Sequence, residues 1–248
     1  MSENAGDARV SREALEGFCV EAMRRSGMTE ADALLAANVL VTTDLWGVHS
    51  HGVKALRMYL RRMRAGGIKA RGAPRVVAEG PAWAVMDGDN ALAMVSCCRG
   101  MEAAIAKARS AGIGYVAVRN SCHFGAAGYY AQLAAKEDMI GMAMSNADPN
   151  MTVPGGRGKI VGNNPMAYAV PAGREAPLML DMALSTVAAG KVNAAADAGK
   201  PILDTWIAGE NGLPTTNPVL YPLHACLMPM AGHKGYGLAV MVETLSAL

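Results

Sequence analysis

The chain has 248 residues, with 23 Lys and Arg against 21 Asp and Glu and a formal charge of +2. A hydrophobic share of 52% and a charged share of 18% supply enough apolar surface for a substantial core and exclude a disordered tail. So balanced a charge builds no field that would select nucleic acid, and no nucleic-acid partner is expected.

The predicted elements begin with helices over residues 11–65. Leu15, Phe18, Cys19, Ala22 and Met23 recur at the i, i+3, i+4, i+7, i+8 spacing of a buried helical stripe, closed by Gly27. Thr29 then stands as an N-cap before an acidic first turn, and Leu34, Leu35, Val39 and Leu40 carry that helix to about Leu45. A third stripe of Leu56, Tyr59, Leu60 and Met63 ends at Gly66-Gly67. Beyond residue 73 the pattern changes. Trp83–Met86 is a short apolar run meeting the turn Asp87-Gly88-Asp89-Asn90. A helix over Met94–Ala111, a strand at Tyr115–Val118 and a helix over Ala126–Lys136 follow. Strands are predicted at Ile140–Met144, Met166–Val170 and Leu178–Leu180, and a helix at Ala183–Ala189. Residues 193–200 read as a small-residue linker or frayed helix, and NGLPTTNP at 211–218 as a loop. Gly237–Leu248 reads as an apolar helix with no capping residue after it. The expected fold class is α/β, with a helical domain over 1–72 and a mixed α/β domain over 73–248.

Eighteen methionines against two phenylalanines predict a core filled by flexible chains rather than rings. The N-terminus carries no apolar secretory core, and no apolar run reaches the about 20 residues a membrane span requires. The five cysteines, an odd count with no CxxC, fit neither a disulfide framework nor a zinc ribbon, and a reduced, cytoplasmic chain is expected.

Four of the five histidines lie in three segments dense with glycines and polar groups. In Asp44-Leu-Trp-Gly-Val-His-Ser-His-Gly52, His49 and His51 would point to opposite sides of an extended turn, which suits a shared metal poorly. Ser50 beside His51 permits a hydroxyl–imidazole relay; a solvated loop histidine is the plainer alternative. His123 lies where NSCHFGAAG at 120–128 leaves a strand for a helix, a place that favours an anionic ligand or proton exchange; a packed histidine in a glycine turn is the alternative. His233 and Lys234 open the last helix beside glycines and suit a phosphate or carboxylate. Asp181 ends an apolar strand, where it either needs a buried partner or caps the following helix. No GxGxxG follows a strand, since Gly112-Ile-Gly114 leaves Ala117 in the third glycine's place, and a Rossmann fold is not supported.

The ordered set SHGV at 50–53 with Tyr59, MDGDNA at 86–91, NSCHFGAAGYYA at 120–131, MSNA at 144–147, GNNPMAYAVP at 162–171, LDMALSTVAAGKV at 180–192, NGLPTTNP at 211–218 and GHKGYGLAVMVE at 232–243 resembles the malate/L-lactate dehydrogenase family of the non-Rossmann type. The resemblance implies hydride transfer between NAD or NADP and a small 2-hydroxy acid or 2-keto acid, on a mixed-sheet nicotinamide-binding domain. By the family pattern His51 is the proton donor or acceptor with Ser50 and Asp181 as relay partners, and His123 takes that role in ureidoglycolate-type members. The cofactor would meet Asp181, Met182, Ala183, His233 and Lys234, and no metal is expected. Many members carry Arg where this chain has Ala55, so the substrate carboxylate would turn to Arg57 or to His123. The resemblance also implies a homodimer at full length. Aligned by these motifs, the chain stops inside the helix after GHKGYG, and a C-terminally truncated chain is expected. A non-catalytic remnant is one alternative, and a metal-dependent hydrolase using His51, His123, His233 and Asp181 another.

Overall fold

A computed structural model describes residues 9–247. The N-terminal segment read above for a secretory core (residues 1–8 of it) and Leu248 lie outside the described residues. The chain forms two compact units, one ending at Tyr129 and one beginning at Tyr130. The composition change read at 72–73 is the passage from helices to strands; the compact units divide later, within a helix.

The first unit opens with α1 (Arg12–Arg25) and α2 (Glu30–Leu45). Ser11 caps α1 by accepting from the Ala14 N–H, and Thr29 caps α2 by accepting from the Asp32 N–H. Alanines 33, 36 and 37 with Val39, Leu40 and Val41 are buried, so α2 packs on most of its circumference, against α1 and against α4 (Ala93–Ala111). An Arg99–Asp32 ion pair at 2.7 Å joins α2 to α4. A 3-10 turn at Val53–Ala55 leads into α3 (Leu56–Arg64), which buries Leu56, Tyr59 and Met63. Phe18 and Leu34, placed on buried stripes by their spacing, are instead exposed at 62% and 53%.

A three-stranded sheet completes this unit. β2 (Trp83–Asp87) lies between antiparallel β1 (Arg75–Glu79) and parallel β3 (Tyr115–Arg119), with α4 as the crossover. Gly100 brings α4 close to β3, because a Cβ there would press on Val118. β1 was not predicted. All five of its residues are exposed, so it has no apolar alternation to announce it.

α5 (Ala127–Ala135) spans the division between the units. The second unit holds an antiparallel sheet of β4 (Gly141–Met144), β5 (Met166–Ala172) and β6 (Glu175–Met182). One face carries Gly141, Ala143, Ala167 and Ala169, small enough for α5 to lie directly on β4. The other carries the cross-strand rows Met144–Met166–Met182 and Met142–Tyr168–Leu180. The first row packs on a core of Met151, Leu184, Val192, Ile207, Leu227, Ala239 and Val242, while Met142 and Leu180 stay exposed.

α6 (Ala189–Asp197), a small sheet of β7 (Ile207–Gly209), β8 (Pro214–Thr215) and β9 (Ala225–Leu227), and α7 (His233–Ala247) surround that core. Three expectations are corrected here. Residues 183–188 are not helical: Ser185 bridges to Pro229 and its hydroxyl bonds the Val187 carbonyl, so the helix starts at Ala189 and takes in most of the presumed linker. Asp181 is therefore not the cap of a helix at 183–189; it is exposed within β6, opposite Ala167. β7, β8 and β9 were not predicted, because each is only two or three residues long, too short for a pattern to show.

The α5–β4 contact generates a prediction. A Cβ at Gly141 would overlap the Ala131 carbonyl, so Gly141→Ala should destabilise the chain by about 1–3 kcal/mol, read as a lower urea midpoint at unchanged slope. An unaltered midpoint would refute the close packing.

Candidate active site

Two loops in the first unit bring together residues from the SHG and NSCH segments. The α2–α3 connection is organised by Asp44, one residue before the end of α2. Its carboxylate accepts from the Val53 N–H at 2.8 Å and pairs with His49 Nδ1 at 2.9 Å. Gly52 is required here, because any Cβ would collide with that carboxylate. His49 is thus spent on Asp44, while His51 meets Ser50, whose Oγ lies 2.8 Å from its Nδ1.

The second loop follows β3. Asp87 accepts from the Asp89 N–H at 2.9 Å and from Asn120 Nδ2 at 3.1 Å, which holds its carboxyl below the usual range. Asp89, Asn90 and Asn120 all have positive φ, a conformation that Asp and Asn tolerate better than most residues. The Asn90 N–H bonds the Asn120 carbonyl at 2.9 Å, tying the two turns together. From this anchor the chain runs three residues to His123.

The imidazoles of His51 and His123 stack with centroids 5.5 Å apart and planes at 26°. The buried Tyr59 of α3 reaches the same ring, its Oη 2.6 Å from His123 Nδ1. Burial among protein atoms, then the nearby His51, then Arg62 lower the His123 pKa from 6.5 to about 4. His123 is nonetheless exposed to solvent, which screens these effects in part. Burial likewise pushes the Tyr59 hydroxyl well above its ordinary range, so it stays protonated. The rings, the Ser50 and Tyr59 hydroxyls and the Arg62 charge make a site able to exchange a proton beside an anion.

Sequence reading missed two parts of this cluster. Tyr59 was noted for its helical spacing and beside SHGV in the family resemblance but given no role, and Arg62 was not noted at all, although their i, i+3 spacing on α3 places them on one face. Arg57 lies elsewhere on α3, lining a groove with Phe18, Leu60, Arg61 and Arg64. Asp181, Met182 and Ala183 lie in and just after β6 of the second unit. His233 and Lys234 sit inside the first turn of α7, so that helix begins four residues earlier than Gly237. Among the described residues, no three of His, Cys, Asp and Glu gather as a metal site, and no helix is long and apolar enough to cross a membrane.

The geometry defines a cluster of two stacked histidines with two hydroxyls on a mixed α/β fold without a Rossmann fingerprint. Comparison with known proteins makes the class specific. The family model of malate/L-lactate dehydrogenase matches residues 10–248. Malate dehydrogenase of Pyrococcus horikoshii is 42% identical over 247 residues, which cover 97% of this chain and 68% of that protein. The (2R)-3-sulfolactate dehydrogenase (NADP(+)) of Chromohalobacter salexigens is 37% identical, with 96% and 71% covered. The solved structure of sulfolactate dehydrogenase from Methanocaldococcus jannaschii superposes with a TM-score of 0.90 at 39% identity, over 96% of this chain and 69% of that one. The chain belongs to the malate/L-lactate dehydrogenase family. It spans about two thirds of the length of the relatives it matches.

The lowered pKa of His123 has a consequence for stability. Between pH 6.5 and about 4 the unfolded chain binds a proton that the folded ring refuses, so stability falls as pH drops through that window and is intact above it. Replacing His123 by Asn should flatten the dependence of the urea midpoint on pH in this range. Parallel curves for both proteins would count against a depressed pKa.

Proposed function

We propose that the chain is an oxidoreductase transferring a hydride between NAD or NADP and a small 2-hydroxy acid or 2-keto acid, with a histidine as proton donor and acceptor. The observation that carries this reading is the stacked His51–His123 pair, bracketed by the Ser50 and Tyr59 hydroxyls. In the oxidative direction a neutral imidazole takes the substrate's hydroxyl proton; in the reductive direction an imidazolium returns it to the ketone oxygen. Ser50 holds His51 by its Nδ1. Arg62, whose charge reaches His123, suits the substrate carboxylate, and Arg57 remains the second candidate.

The start of α7 fits a dinucleotide's phosphates. Lys234 offers an ammonium there, the first turn offers backbone N–H groups, and a Cβ at Gly232 or Gly237 would meet nothing, leaving room for approach. His233 lies beside Lys234, and the exposed Asp181 carboxylate, followed by Met182 and Ala183, suits a ribose hydroxyl. When bound, the nicotinamide ring accepts or donates the hydride at the substrate's C2. The NADP(+) in one relative's name supports a nicotinamide cofactor, and no residue here separates NAD from NADP.

The five free cysteines support a cytoplasmic location. A homodimer is part of the same proposal, supported by the exposed Met142, Leu178 and Leu180 on the β4–β6 sheet; a monomer in sedimentation velocity would remove it.

Assays with malate, lactate and sulfolactate against NAD and NADP test the reaction. His51→Ala and His123→Ala should each lower kcat roughly 100- to 10,000-fold, and unchanged turnover in either variant removes that residue from the mechanism. Arg62→Gln should raise KM about tenfold with a smaller effect on kcat; the same change in Arg57→Gln alone would move the carboxylate site to Arg57.

A further inference from the structure

Tyr59 and His123 are 64 residues apart in sequence, yet the 2.6 Å contact between Oη and Nδ1 is the only hydrogen bond of either side chain among the described residues. Tyr59 is fully buried. A buried hydroxyl can leave one lone pair unused at little cost, but an O–H with no acceptor is costly. If His123 Nδ1 carried the hydrogen, the Tyr59 O–H would have nowhere to point. We propose that Tyr59 donates to Nδ1 and so acts as a positioning residue, fixing neutral His123 as the tautomer whose proton sits on Nε2.

The ring has little freedom to escape this assignment. His51 stacks on it at 5.5 Å and the Tyr59 ring lies tilted at 5.9 Å. Among the described residues, the charged and titratable groups that bear on the pair are His51, Arg62 and Cys122. None supplies a carboxylate that would draw a proton onto Nδ1, and the positive charges of Arg62 and of a protonated His51 oppose a cationic ring.

The assignment divides labour between the two histidines. A neutral His123 with hydrogen on Nε2 presents a donor to the substrate, suited to a hydroxyl, ketone or carboxylate oxygen. It has no lone pair there with which to remove a proton. The hydroxyl proton then falls to His51, held by Ser50. Proton bookkeeping closes with one proton passing between the substrate oxygen and His51, and none to or from His123. This division rests on the dehydrogenase reading above; the tautomer itself does not.

The test is nitrogen NMR on the whole 248-residue chain labelled with 15N-histidine, at pH 7 and without cofactor or substrate. Two-bond proton–nitrogen correlations report which ring nitrogen bears hydrogen, and His123 is assigned by difference against His123→Asn. A single tautomer protonated on Nε2, with Nδ1 as an acceptor, is expected. Tyr59→Phe keeps the ring and removes the hydroxyl; the Nδ1 resonance should shift to that of a nitrogen lacking its donor, and the single tautomer should become a mixture. Hydrogen on Nδ1 in the unaltered chain overturns the proposal, and so does an identical nitrogen pattern in folded Tyr59→Phe. If that variant does not fold, the unaltered chain alone still decides. Failure of turnover with every hydroxy acid would sink the dehydrogenase reading and leave this result standing.

Discussion

Two carboxylates at the ends of regular elements hold the loops on which the histidine pair depends. Asp44 accepts from the amide of Val53 and closes the α2–α3 loop, so Ser50 and His51 are presented from a loop of fixed shape. Asp87, the last residue of β2, does the same for the exit of β3 and thereby for His123. In each case a short acidic side chain satisfies polar groups that the end of an element leaves over. Each demands a special backbone beside it: Gly52 against Asp44, and positive φ at Asp89, Asn90 and Asn120 beside Asp87. The cost of those conformations is met by hydrogen bonds, which is why two loops can hold aromatic rings at stacking distance.

Within each unit the elements approach closely because their facing residues are small. α2 buries alanines at 33, 36 and 37, α4 meets β3 at Gly100, and α5 meets β4 at Gly141. Large side chains are reserved for the spaces between layers, where Met23, Met94 and Met151 are fully buried. Methionine's unbranched chain fills such irregular gaps well. The excess of methionine over phenylalanine thus reflects thin, closely apposed layers rather than a thick aromatic core.

What was legible in the sequence follows from range. Helices α1 to α5 and strands β2 to β6 were visible because local spacing and caps such as Thr29 define them. β1 was invisible because all of its residues are exposed, and β7 to β9 because each is only two or three residues long. α6 was displaced because 183–188 offers apolar and small residues of helical composition, while Ser185 is committed to Pro229 and Val187. The same limit applies to the site. SHG and NSCH could each be singled out, but nothing local says that Tyr59 reaches across 64 residues to His123, or that Arg62 bears on the same ring. Asp181 shows the converse error: an acidic residue after apolar neighbours suggests a cap, and its exposed place on a strand comes from pairing with Ala167.

The stack of two imidazoles carries a further meaning. At 5.5 Å, charge on one ring opposes charge on the other. An incoming carboxylate would relieve that opposition and draw a proton in with it. For an anion bound beside these rings, occupancy and uptake of a proton would then be one event seen from two sides.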